Sequence, residues 1–307
     1  VAARVAGRAP APRTSAPQTA PSKRRTKRKV ARVAVAGPPD FLAENKRPVN
    51  IIVEVDPPRG LAINAAVRVA GELKRRGVNA VSIAENQLAS VRMSSWALSH
   101  LIQKETGLTA ICHCTCRDRN LIGQQSELLG GYVLGINHVL AITGDPISLG
   151  AGEGTSVFDT NSFGLIDMLS RMNRGENMSG ESIGRSTSFN IGCALNPNRA
   201  RIDGELRRLE KKVSLGARYA MTQPPENAER TRELRRKTRD MGVDVFVGVV
   251  PTISGRNADF LHNEVPGFAI PEDVRARMHD AADPEAEGLQ VAREYVDMAL
   301  DAGFRHI

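Results

Sequence analysis

Residues 110–146, AICHCTCRDRNLIGQQSELLGGYVLGINHVLAITGDP, hold one full cycle of the pattern that decides the fold. Ala110–Cys114 is a short apolar run, as expected of a strand buried on both faces. A polar turn follows, and Asn120–Leu134 then carries apolar residues at helical spacing. His138–Thr143 is a second apolar run, ending in Thr143-Gly144-Asp145-Pro146. Working outward, further strands are predicted at Asn50–Val55, Ala80–Ala84, Ser188–Cys193, Tyr219–Thr222, Val243–Val249 and Phe304–Ile307. Helices are predicted at Ala62–Arg76, Ser94–Glu105, Ser162–Arg171, Ile202–Leu215, Ala228–Met241 and in a final region from Pro271 to Ala302. Arg76-Gly77 and Leu215-Gly216 read as helix stops, glycine standing just past a basic last turn.

Eight strands alternating with helices predict an α/β protein, a (β/α)8 TIM barrel over residues 49–307. An open doubly wound sheet is the alternative, weakened because no G-x-G-x-x-G follows the first strand. The chain stops at Ile307, inside or just after the eighth strand, so the closing helix is absent from the sequence. The expectation is a truncated chain, or a partner that covers the apolar face left open.

The net charge of +8 is unevenly distributed. Residues 1–36 hold ten Lys or Arg and no acid, leaving 32 basic against 34 acidic residues elsewhere. Residues 1–48 are rich in Ala, Pro, Arg, Lys and Thr, show no apolar period, and are expected to form a disordered basic tail or linker. The run from Lys23 to Lys29 could meet nucleic acid or an acidic partner, but a solvated tail is the plainer reading. The near-balanced charge of the folded part weakens any nucleic-acid reading of it. No apolar run is long enough to span a membrane. Cys112, Cys114 and Cys116 lie too close along one extended segment for a structural disulfide, which suggests a reducing, cytoplasmic setting.

Active residues of a β/α barrel stand at the C-terminal ends of its strands. There the sequence places Glu54-Val55-Asp56, His113 to Asp118, Thr143-Gly144-Asp145, Leu195-Asn196-Pro197, Thr222-Gln223-Pro224 and Pro251-Thr252. Each has a plainer reading. Glu54 could pair with a barrel cation, Asp145 could form a turn, His113 could be a satisfied core histidine, and Gln223 could cap a strand end. The convergence of polar groups from several strands favours a site. A metal centre is not expected, because alternate cysteines on a strand face one side and His113 the other.

The stretches Glu54–Pro58, Leu88–Ser94, Cys116–Gly123, Leu140–Pro146, Asn161–Leu165, Met221–Pro224 and Arg256–Gly267 together resemble the methylenetetrahydrofolate reductase family. The match is nearest the branch often fused to a homocysteine methyltransferase domain, and it runs from about residue 49 to the end. The resemblance implies FAD bound at the C-terminal strand ends and NAD(P)H as co-substrate. It also implies ping-pong hydride transfer to 5,10-methylenetetrahydrofolate, giving 5-methyltetrahydrofolate. By position, Glu54 matches the general acid, and Asp145 the acid beside flavin and pterin. Gln223 matches the amide that binds the folate. His113, Thr143, Gly144, Asp145, Asn196, Glu205 and Lys212 match cofactor-binding positions, with Lys212 able to reach a phosphate. Thr143 stands where some relatives have Arg, and Asn196 where some have His. Ala84, Phe158 and Ala194 replace hydroxyl or aromatic contacts. A homo-oligomer accords with the resemblance. A barrel that binds flavin or folate without turnover is the alternative function.

Overall fold

Short runs rich in Val, Ile and Ala pair in parallel, in chain order. The computed structural model describes residues 40–42, 48–150 and 154–307, so most of the expected tail, including the run from Lys23 to Lys29, lies outside the described residues. The strands are β1 (Ile52–Val55), β2 (Ala80–Ile83), β3 (Thr109–Thr115), β4 (His138–Ile142), β5 (Asn190–Leu195), β6 (Tyr219–Thr222) and β7 (Asp244–Phe246). They form one sheet in the order β1 to β7, every neighbouring pair parallel.

Parallel neighbours need crossover connections, and here helices supply them. These are α1 (Asn64–Arg76), α2 (Ser95–Thr106), α3 (Leu121–Val133), α4 (Ser162–Asn173), α5 (Ile202–Ser214) and α6 (Ala228–Thr238). After β7 come α7 (Gly255–Glu264), α8 (Glu272–Asp280) and α9 (Pro284–Asp301). The predicted stop at Gly77 holds, with φ at 89° and its N–H bonded back to Leu73 and Lys74 carbonyls. Helix α7 was not expected, and the region from Pro271 breaks into two helices where Asp283 caps α9.

The two edges of the sheet meet through Arg305–Ile307. Asn50 N–H donates to the Arg305 carbonyl at 2.8 Å, Ile307 N–H to Asn50 at 2.9 Å, and Val247 N–H to His306 at 2.9 Å. The segment expected as the eighth strand is therefore a short bridge, and the arrangement is a TIM-barrel-like α/β fold.

Side chains alternate across each strand. Ile52, Ala80, Ile111, Leu140, Tyr219 and Phe246 pack together inside the barrel. Val55, Val81, Ile83 and Ala110 face outward to helices on one side, and Cys112, Cys114, Val139, Cys193 and Leu195 on the other. Asp40–Leu42, which the sequence reading assigned to the tail, pack beneath the strands. The Phe41 ring lies 5.2 Å from His138, 5.8 Å from Tyr219 and 5.9 Å from Phe246. Asp40 accepts from Asn190 at 2.7 Å and pairs with Arg218 at 3.3 Å. No helix among the described residues is long and apolar enough to cross a membrane.

Candidate active site

Strand alternation that buries Ile52 inward also turns Glu54 inward, two residues nearer the C-terminal mouth. Glu54 is reachable by solvent, yet protein walls surround it closely. That desolvation, with the Asp56 charge adding to it, raises its pKa to about 7, while a hydrogen bond from Gln87 opposes the rise. The acid is therefore in large part protonated at neutrality and more fully so below it.

Glu85, beyond the end of β2, makes a useful contrast. It is buried, and its carboxylate accepts from Thr115 N–H at 2.7 Å and Thr115 hydroxyl at 2.9 Å. Arg119 completes the set at 2.8 Å. Glu85 is a satisfied structural acid, whereas Glu54 keeps its carboxyl available from the mouth.

In β1–β2 pairing, Glu54 stands opposite Ser82. Ser82 shares a 2.5 Å hydrogen bond with His113 Nε2. Burial lowers His113 to about 4, so the ring is neutral. Cys112 and Cys114 face the outer helical layer while His113 faces inward, as the alternation predicts. Among the described residues no cluster of His, Cys, Asp or Glu could hold a metal ion.

After β4, Thr143 is exposed and Asp145 half-buried. Gly144 between them has φ of +87°, a region open to glycine, and a Cβ there would meet Thr115 Cβ at 3.0 Å. The Asp145 carbonyl accepts from Arg117 at 3.1 Å.

Asn196 and Gln223, from the ends of β5 and β6, meet at one place on the rim. Gly267, with φ of +90°, leaves no room for a Cβ, which would lie 2.7 Å from Asn196 Nδ2 and 3.3 Å from Gln223 Cγ. Asn198 ties this corner together by donating to the carbonyls of Pro224 at 2.8 Å and Gly267 at 3.1 Å.

Glu205 and Lys212 stand apart, on α5. Glu205 lies 3.6 Å from Arg208 and 4.0 Å from Arg199. Lys212 is buried, its ammonium donates to the Ala194 carbonyl at 2.6 Å, and burial lowers its pKa. It is bonded to backbone rather than standing as a free charge. Beside it, Arg208 and Lys211 lie 5.0 Å and 4.9 Å from the centre of the Phe163 ring.

Sequence reasoning missed Glu85, Asn198 and Phe41, and took Arg117 only as part of the stretch His113 to Asp118. Glu85 and Asn198 find their partners far away in sequence, and Arg117 joins its neighbour Asp118 to two distant carbonyls, so spacing carries little signal for these three. An isolated Phe41-Leu42 pair after a tail without apolar period was the available hint for Phe41.

The chain is 26% identical over 207 residues to a probable methylenetetrahydrofolate reductase (NADPH) of Caenorhabditis elegans. That match covers 64% of this chain but 29% of the worm protein. It is 23% identical over 280 residues to 5,10-methylenetetrahydrofolate reductase of Escherichia coli K12, covering 86% of each. Among solved structures it resembles a Clostridium thermocellum protein described as binding two copies of 5-methyl-5,6,7,8-tetrahydrofolic acid. The TM-score is 0.57 at 13% identity, covering 87% of this chain and 88% of the other. The description methylenetetrahydrofolate reductase matches residues 41–307, nearly the whole barrel that carries Glu54, Asp145 and Gln223, and the chain belongs to that family.

Proposed function

We propose that the protein reduces 5,10-methylenetetrahydrofolate to 5-methyltetrahydrofolate, with FAD as cofactor and NAD(P)H as reductant. The observation that carries the reading is Glu54, an inward carboxyl at a strand end, reachable from the mouth and protonated near neutrality. A neutral acid there can donate a proton to the folate's imidazolidine nitrogen and open the ring to an iminium. Asp145, contributed from β4, would favour that cation electrostatically. Gln223 offers an amide that can both donate to and accept from a pterin edge.

The residues present fit a flavin. Ala194 is exposed within an otherwise buried strand, and Gly144 adds no side chain, which leaves a flat ring unobstructed wall. Arg199 and Arg208, beside Glu205, form a cationic rim suited to a diphosphate. His113, buried and bonded to Ser82, and Thr143, exposed after β4, are the further candidates for flavin contact. Bound there, FAD supplies a hydride store filled by NAD(P)H and emptied onto the one-carbon unit. The chain's own contribution is to hold the folate, donate the proton from Glu54 and stabilise positive charge with Asp145.

The test is an anaerobic titration of the purified full chain. Flavin absorbance should bleach with NADH or NADPH and recover on adding methylenetetrahydrofolate. Recovery that fails while bleaching succeeds would leave a flavin-binding barrel without turnover. A colourless protein that takes up no added FAD would overturn the cofactor assignment.

A further inference from the structure

The largest of the fully buried side chains belongs to Arg117, at 2% exposure. A buried guanidinium is expensive unless every donor is used. Its Nε and Nη2 meet the Asp118 carboxylate at 2.6 and 2.8 Å, a two-point pairing that neutralises the charge. Two more bonds go to backbone: Nη1 to the Asp145 carbonyl at 3.1 Å and Nη2 to the Asn86 carbonyl at 3.2 Å. One side chain from the loop after β3 thus grips the loops after β2 and β4.

Both gripped loops need holding. Asn86, Leu88 and Ala89 have φ of 44°, 49° and 52°, left-handed values that are unfavourable for Leu and Ala. Asn86 Nδ2 also donates to Asp118 at 3.2 Å. Between these residues, Gln87 sends its amide to Asp56 and to the environment of Glu54. The turns at 87–89 and 147–149 pack against each other. The Arg117 carbonyl further accepts Val157 N–H at 2.8 Å, anchoring the return of the β4 loop.

We infer that Arg117 is a positioning residue, a buried clamp that sets Asp145 and, through Asn86 and Gln87, the surroundings of Glu54. The inference rests on the reading of those two acids as the reacting groups. Arg117 itself touches neither substrate nor reacting atoms. A lysine cannot replace it, because one ammonium cannot reproduce the planar fork that reaches a carboxylate and two carbonyls together.

Amide hydrogen exchange on the full-length protein, without flavin or folate, tests the clamp independently of turnover. In Arg117→Lys, amides bonded within the two loops should exchange about tenfold faster together. These are Ser90 and Arg92 on one side, and Leu149 and Gly150 on the other. Strand amides such as Ala220 and Cys193 should stay unchanged. Asp118→Asn, which strips the buried guanidinium of its counter-charge, should raise exchange in the same two loops by about tenfold or more. Exchange confined to one loop, raised equally in the strands, or unaltered would overturn the inference. If Arg117→Lys fails to fold, Asp118→Asn decides alone.

A second readout separates positioning from mere stability. Losing the Gln87 hydrogen bond should move the alkaline limb of folate reduction to higher pH in Arg117→Lys. Ile102→Val, in the outer core, should leave that limb in place. A limb that stays put in Arg117→Lys counts against the link to Glu54. A wild-type protein that reduces no folate counts against the function while the exchange result still decides the clamp.

Discussion

At the end of the barrel where the strands begin, Phe41 fills the space between His138, Tyr219 and Phe246. At the end where they finish, small residues and polar groups line an open mouth. A titratable group marks each end, and protein surroundings push both toward neutrality. His138 is lowered to about 4 by burial, and Glu54 is raised to about 7. His138 is sealed, both ring nitrogens lacking a hydrogen-bond partner among the described residues. Glu54 meets solvent from above. The same desolvation accompanies packing at one end and, on the proposed function, would serve proton transfer at the other, with access dividing the roles.

The largest expected effect breaks the top of the barrel. Glu54→Gln should slow the folate half-reaction by about 10²–10⁴-fold, measured by stopped-flow reoxidation, and leave reduction by NAD(P)H within about twofold. Equal losses in both halves would remove Glu54 from the acid role. In the wild type, folate reduction should fall as pH rises through about 7, because the protonated carboxyl is the working form.

Next comes the plug. Phe41→Ala should lower unfolding free energy by about 3–5 kcal/mol in denaturant titrations. An unchanged midpoint would mean that Phe41 is not part of the core.

His138 sharpens the comparison by pH. Its folded pKa lies below the ordinary 6.5, so the neutral ring's contribution is complete above 6.5 and is lost as pH falls toward 4. His138→Leu should flatten that acid limb by on the order of 3 kcal/mol between those values. A parallel pH–stability curve in the variant would assign the limb elsewhere.

The smallest effect is at the Thr143-Gly144-Asp145 turn. Gly144→Ala should cost about 1–2 kcal/mol, from the positive φ and the contact with Thr115, and should weaken flavin binding. Tighter flavin binding in this variant would argue against the turn as a cradle.

The strands were legible because each is a short apolar run between a glycine or polar stop and a polar turn. The residues of the mouth were legible because strand ends can be counted. Helix α7 was not, since its buried apolar positions are few and Ala258 is its one fully buried hydrophobic side chain. The break before α9 was not read either, although Asp283 caps that helix and Pro284 stands in its first turn. Arg117 and Glu85 looked like ordinary polar loop residues. Their burial is decided by carbonyls and side chains some 30 positions away, which no local period reports. Lys212, late in α5, reaches the Ala194 carbonyl at the exposed end of β5, a contact that its place in a helix does not reveal.

The bridge between Asn50 and His306 joins positions 256 residues apart. The edge of β1 that faces away from β2 cannot complete its hydrogen bonds until residues 305–307 have been made. Until that segment is made, the growing sheet carries two bare edges, each able to pair with a neighbouring nascent chain. Zipping that last seam is a long-range closure, slow by topology, and it makes the four residues from Phe304 to Ile307 decide when the protein leaves its aggregation-exposed state.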